Sequence, residues 1–151
     1  MKKFLFISLI FALLPFFTFA QKDKETKKRA EVECNANEHL NKCVESLRPQ
    51  GYRFLKSYKL EGNASKPLEY EYTLSKGTTY FISLQHNPDV KLKVILYNED
   101  GREEASNYNK KLDKYYPSVE IRCQRTGVYK ITFSQESKTD FCAASVLGFK
   151  R

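Results

Sequence analysis

From residue 52 onward, apolar and polar side chains alternate. In "LEYEYTL", Leu68, Tyr70, Tyr72 and Leu74 stand at one parity and Glu69, Glu71 and Thr73 at the other. "YFISLQ" repeats the pattern with Tyr80, Ile82 and Leu84, and "VKLKVILY" sets Val90, Leu92, Val94 and Leu96 against Lys91 and Lys93. "YRFLKSYKL" puts Tyr52, Phe54, Tyr58 and Leu60 at one parity. A strand sends successive side chains to opposite faces, so a period of two marks a strand with one face buried. Eight such stretches follow one another, at 52–60, 68–74, 80–85, 90–97, 102–107, 118–123, 128–134 and 140–149, with turn residues between them. Asp100-Gly101 is a strong hairpin signal. The fifth stretch, "REEASN", is polar and predicts a short edge strand whose charges block sheet-to-sheet association. Short one-faced strands joined by turns specify an all-β antiparallel sandwich.

One device occurs twice. "KGTTYFISL" at 76–84 and "TGVYKITF" at 126–133 each place a glycine before a Tyr-x-Ile run. Glycine suits a sharp bend from one strand into the next, where a positive φ or a close backbone approach is needed. The repetition predicts two similar strand-turn-strand units, 70–84 and 119–133, carrying the chain between sheets. Ahead of the strands, Leu40, Cys43, Val44 and Leu47 fall at i, i+3, i+4 and i+7, a helical stripe. Asn35 with Glu38 resembles a capping box, Asn37 is a rival cap, and Pro49 and Gly51 end the segment. So short a helix is not stable alone and must dock on the sheets.

The chain opens with Lys2 and Lys3, an apolar run over 4–17 broken by Ser8 and Pro15, and the small-residue site Thr18-Phe19-Ala20. This reads as a secretory signal peptide over 1–20, too short to span a bilayer. A disordered charged lead follows at 21–33, and one domain of helix plus sandwich occupies 34–151. The net charge of +8 comes from lysines interspersed with glutamates, which argues against a nucleic-acid partner. Four cysteines, Cys34, Cys43, Cys123 and Cys142, all lie in the exported part. An even number in an oxidising compartment favours two disulfides, and no ligand spacing suits a metal. Cys123 shares the parity of Val119 and Ile121, and Cys142 that of Ala144 and Val146, which favours Cys123–Cys142 and, by elimination, Cys34–Cys43. The local pair requires the helix to start after Cys34, because nine helical residues span about 13 Å and a bridge needs Cα atoms within about 7 Å. The rival arrangement staples the helix to the sheet, with Cys34 and Cys43 each joined to a strand cysteine.

The succession "YEYTLSKGTTYFISL", "VKLKVILYNEDG" and "PSVEIRCQRTGVYKITF" with the closing strand resembles the bacterial pre-peptidase C-terminal domain over roughly residues 66–148. The ending "FCAASVLGF" also resembles small exported bacterial proteins of unassigned function. The first resemblance implies a jelly-roll-like β-sandwich, here of about eight strands with one short N-terminal helix, and an accessory role beside secreted enzymes. The chain is expected to stand without an enzyme alongside, and it adds a helix with two cysteines.

Motifs for catalysis are sparse. His39 and His86 stand far apart in sequence, with no nucleophile elbow and no Cys-x-x-Cys. Glu69/Glu71 alternate with tyrosines and so lie on an outer face, and these and Glu103/Glu104 read as solvated edge charges. Asp89, Asn98, Asp100 and Asp113 follow no calcium-loop spacing. The better candidate is "ASNYNKKLDKYYP" at 105–117, where Tyr108, Tyr115 and Tyr116 interleave with Asn107, Asn109 and Asp113. Aromatic rings beside amides and carboxylates stack on sugars or peptides, and loops of sandwiches carry such sites. Against this, the tyrosines can simply cap the open end of the core. The expectation is an exported, periplasmic or secreted, non-enzymatic binding or accessory module of the envelope. It needs no cofactor and meets a glycan or protein partner, and it has no transmembrane segment after signal cleavage. The alternative is a small secreted hydrolase using loop carboxylates and His86.

Overall fold

The computed structural model describes residues 34–62, 66–136 and 141–151. The expected signal peptide and the charged lead lie outside the described residues. The helix α1 spans Ala36–Leu47 and runs into a 3₁₀ turn at Arg48–Gln50. Asn35 is the cap: its Oδ1 accepts from the Glu38 amide at 3.2 Å, and its Nδ2 donates to Glu38 Oε2 at 3.2 Å. Gly51, in the left-handed region at φ 73°, closes the turn by donating to Arg48 O at 3.0 Å.

Among the described residues ten strands follow: β1 Arg53–Gly62, β2 Leu68–Leu74, β3 Thr79–His86, β4 Leu92–Tyr97, β5 Glu103–Ser106, β6 Tyr108–Asn109, β7 Lys114–Tyr115, β8 Ser118–Arg122, β9 Gly127–Gln135 and β10 Phe141–Lys150. Two four-stranded sheets run in the orders β1-β10-β3-β8 and β2-β9-β4-β5, and β6 with β7 makes a separate two-stranded ribbon. Every described pairing is antiparallel. The eight strands of these two sheets alternate between them, except at the β4–β5 hairpin, and this interleaving is that of a jelly roll. As the polar sequence predicted, β5 is short, exposed and at an edge. Leu60, Ile82, Leu84, Leu92, Val94, Leu96, Ile131 and Phe133 fill the space between the sheets.

The two glycine-tyrosine units pair with each other. β2 lies along β9, with Leu74 opposite Gly127, and β3 lies along β8, with Tyr80 opposite Ile121. The corners are joined as well: the Gly77 amide donates to Cys123 O and the Cys123 amide to Thr78 O, both at 2.9 Å, and the Lys76 amide donates to Thr126 Oγ1 at 2.9 Å. Each tyrosine reaches back to the bend it follows. Tyr80 Oη accepts from the Ser75 amide at 2.9 Å, and Tyr129 Oη donates to Arg125 O at 3.0 Å. Both are tyrosine corners of the kind that fix sheet-to-sheet crossings.

Two expectations are corrected. A bulge between Phe54 and Lys56 breaks the parity of β1, so Leu55 packs on the inter-sheet core while Phe54 is 52% exposed. Tyr52 packs instead with α1 and Phe81. The disulfide pairing also differs: Cys34 is joined to Cys142, with Cα atoms 5.3 Å apart, and Cys43 and Cys123 are free and buried. The physical reason is that the first sheet is covered on both faces. Ala143 and Leu147 face the second sheet, whereas Ala144 and Val146 pack against Cys43 and Leu47 of α1. The parity that Cys142 shares with Ala144 therefore points it to the helix, while Cys123 belongs to the core between the sheets. Cys34, just before the helix cap, meets the start of β10. Cys43 lies further along α1 and donates to Ala144 O at 3.4 Å.

Candidate functional site

The ribbon of β6 and β7 leaves the sandwich between two edge strands, β5 of one sheet and β8 of the other. Asn107 anchors it. This side chain is 1% exposed and fully engaged with backbone: Oδ1 accepts from the Val94 amide at 2.8 Å, and Nδ2 donates to Leu92 O and Tyr116 O at 2.9 Å each. Asn107 is thus a positioning residue, with no polar group left for a ligand. Asn109 is a turn residue, its Oδ1 accepting from the Lys111 and Leu112 amides at 3.0 and 3.2 Å. Asp113, in the left-handed region at φ 46°, completes the reversal.

Tyr108 and Tyr115 are opposite each other in the ribbon register, and their ring centroids lie 4.6 Å apart. Both hydroxyls are tethered, Tyr108 Oη to Asp113 Oδ1 at 2.9 Å and Tyr115 Oη to Glu136 Oε1 at 2.5 Å. The hydrogen bond to Asp113 pushes the Tyr108 hydroxyl upward in pKa, and burial followed by the Glu136 bond does so for Tyr115, so both stay protonated donors. Lys93 Nζ stands 5.3 Å from the Tyr108 ring centre and Lys114 Nζ 5.1 Å from that of Tyr116. Tyr116 is exposed, and Leu112 at the tip is 65% exposed. Of the six residues the sequence marked, the structure brings Tyr108, Tyr115 and Asp113 together in one braced cluster, while the Tyr116 ring stands apart from that pair with Lys114 over it. The structure assigns the two asparagines to scaffolding. The lysine partners and Leu112 carry no periodic signal and are not found from sequence.

The other candidates are dispersed. His86 ends β3 and its Nδ1 donates to Asn87 O at 2.8 Å, while His39 Nε2 reaches Asn87 Oδ1 at 3.2 Å. The fold thus brings both histidines to one asparagine, yet among the described residues neither is hydrogen-bonded to a hydroxyl, thiol or carboxylate. Glu69 pairs with Lys130 at 3.4 Å, and Glu104 accepts from Asn98 at 2.6 Å. Asp100 takes Arg125 and Arg102 at 2.9 and 3.2 Å, which holds its carboxyl below the usual range. Among the described residues no group of three metal-ligating side chains occurs, and no helix is long and apolar enough to cross a membrane. Burial pushes the Cys43 thiol up to about 11, which leaves it protonated and inert at neutral pH.

No protein-family model matches the sequence, and no curated protein matches it. Solved structures do match in fold. The chain is similar to the periplasmic inhibitor of g-type lysozyme from Aeromonas hydrophila, with a TM-score of 0.53 and 10% identity over 67% of this chain and 90% of that one. It is also similar to the pre-peptidase C-terminal domain of collagenase from Bacillus anthracis, with a TM-score of 0.45 and 12% identity over 61% of this chain and 85% of that one. At these identities the likeness is one of fold.

Proposed function

We propose that this protein is an exported, non-enzymatic binding module of the bacterial envelope that engages a glycan or peptide partner on the ribbon at 107–116. The observation that carries the reading is the braced tyrosine pair. Tyr108 and Tyr115 are held ring to ring with both hydroxyls tethered, so they lose little side-chain freedom on binding. Tyr116 and Leu112 add exposed apolar area elsewhere on the ribbon, and Lys93 and Lys114 supply charge. Export is supported by the leader sequence and by a disulfide that joins residues 108 positions apart, a bond kept in oxidising compartments. His39 and His86 both engage Asn87, and neither is hydrogen-bonded to a nucleophile or carboxylate among the described residues, which speaks for binding over hydrolysis.

The test is a screen of the exported protein against cell-wall glycan fragments and peptides, with Tyr108→Ala/Tyr115→Ala/Tyr116→Ala as the comparison. The expected result is binding without turnover, weakened at least tenfold in the triple variant, with the melting temperature lowered by only a few degrees. Turnover of any fragment overturns the reading, as does binding that the triple variant leaves intact. A collapse of stability in that variant would make the tyrosines core caps instead, since truncating a buried aromatic costs about 3–5 kcal/mol.

A further inference from the structure

We infer that the end of the sandwich opposite the ribbon is a second binding site, a cationic groove that takes an acidic saccharide. The strand register puts the two sites at opposite ends. The ribbon joins β8 at Ser118, which pairs with Ser83, whereas β3 and β8 finish at the other end with Thr79 opposite Arg122. Lys150 also pairs with Thr79, so the tail of β10 lies at that far end.

Two clefts adjoin there. The larger, about 380 Å³, is lined by Gly51, Arg53, Phe149, Lys150 and Arg151. The smaller, about 200 Å³, shares Phe149 and Arg151 with it and continues past Tyr72 and Thr78. Together they form one groove with two chemically different arms, of a size that suits a small ligand.

The first arm is cationic. Arg53 is the register partner of Phe149, so its guanidinium leaves the ladder on the same face as that ring. Lys150 is compensated: its Nζ sits 4.3 Å from the Tyr52 ring centre and 3.5 Å from Glu120 Oε2. Glu120 also accepts from the Tyr52 hydroxyl. Among the described residues, Arg53 and Arg151 have no carboxylate side chain as partner. Guanidinium groups recognise carboxylate or phosphate by paired hydrogen bonds. Gly51, at φ 73°, has no atom within 4 Å of where a Cβ would stand, so the mouth is open.

The second arm is neutral and rich in hydroxyls. Thr73, Ser75 and Thr78 line it beside the ring of Tyr72, with Leu55 its one aliphatic side chain. The Tyr80 hydroxyl is already engaged by the Ser75 amide and serves as wall. Such a lining is too polar for an acyl chain. It matches the hydroxyls of a sugar ring, whose apolar face lies against an aromatic edge. An anionic group on the arginines with a sugar ring in the neighbouring arm describes an acidic saccharide.

Calorimetric titration tests this with trigalacturonate, N-acetylmuramic acid and N-acetylneuraminic acid, against neutral galactotriose and inorganic phosphate. At least one acidic saccharide is expected to bind at least tenfold more tightly than either control. Arg53→Ala/Arg151→Ala is expected to weaken that binding at least tenfold without lowering the melting temperature, because neither side chain makes a described bond in the fold. The ribbon variant lacking Tyr108, Tyr115 and Tyr116 is expected to bind the saccharide like the parent protein, which separates this site from the ribbon. The inference is overturned if none of the three acidic saccharides binds, or if phosphate or the neutral trimer binds as well as they do. Binding that the arginine variant leaves intact, or that the ribbon variant loses, overturns it equally.

Discussion

At Gly77 the backbone turns with φ 81°, a region where an L side chain crowds the neighbouring carbonyl, yet nothing stands within 4 Å of where a Cβ would be. Gly127 holds the matching place in the second corner with no positive φ, and there a Cβ would meet Glu99 Oε1 at 2.6 Å. That carboxylate accepts from the Val128 amide at 2.8 Å, so space is what Gly127 provides. Gly77→Ala is expected to cost about 1–2 kcal/mol through backbone strain. Gly127→Ala is expected to cost about 1 kcal/mol by displacing the Glu99 carboxylate. In a Glu99→Ala background the second cost should nearly vanish while the first persists, and urea unfolding of the two double-mutant cycles checks this. The sequence shows both glycines and both tyrosines plainly. It does not distinguish a glycine kept for φ from one kept for room, because Glu99 belongs to another turn.

Among the elements, the ribbon is the least visible in the sequence. Two-residue strands are too short to show a period, and only the cluster of Tyr and Asn at 105–117 marks the place. Its attachment depends on Asn107, which joins β4 to the end of the ribbon through three side-chain bonds and two backbone ones, Asn107 N to Val94 O at 3.2 Å and Tyr116 N to Asn107 O at 2.9 Å. Removing the amide leaves a buried donor, a buried acceptor and a part-buried acceptor without that partner, each worth about 1–3 kcal/mol where water cannot replace it. Asn107→Ala is accordingly expected to lose about 3 kcal/mol in urea unfolding and to release the ribbon, read as faster amide exchange at Val94 and Tyr116. Asn109→Ala, at an exposed turn, should lose less than about 1 kcal/mol. Equal losses at the two positions would refute the anchoring role. The strands of the second sheet, by contrast, are legible from their alternation, since one face is buried, whereas β3 and β10 bury both faces. Only β1 departs from its pattern, at a bulge that alternation cannot reveal. The far groove left no trace, because Arg53 and Arg151 meet through tertiary structure alone.

At the scale of the whole molecule, the helix decides how the first sheet is buried. Cys43, Leu47 and their neighbours cover Phe81, Ala144 and Val146, and where Leu47 crosses β10, a Cβ on Gly148 would come within 2.8 Å of Leu47 Cδ2. Parity in β10 thus identifies two faces without saying which one looks to the sheet and which to the helix, and the cysteine pairing could not be read from it. Twelve residues of helix hold little stability of their own, so α1 persists by docking and by its tie to β10. The tie closes a loop of 108 residues, and in the chain-entropy model a loop of that length restricts the unfolded state by about 4–5 kcal/mol. That is a large share of the roughly 5–15 kcal/mol that holds a domain folded. Cys34→Ser/Cys142→Ser is therefore expected to lose most of that amount, with α1 fraying from its capped end. Cys43→Ser/Cys123→Ser should lose only what two buried thiols contribute to packing and keep the disulfide. Iodoacetamide should label no thiol in the native oxidised protein and two after unfolding without reductant. Non-reducing peptide mapping should then recover the linked peptides around Cys34 and Cys142. Recovery of a Cys34–Cys43 or Cys123–Cys142 peptide would overturn this account of how the helix is held.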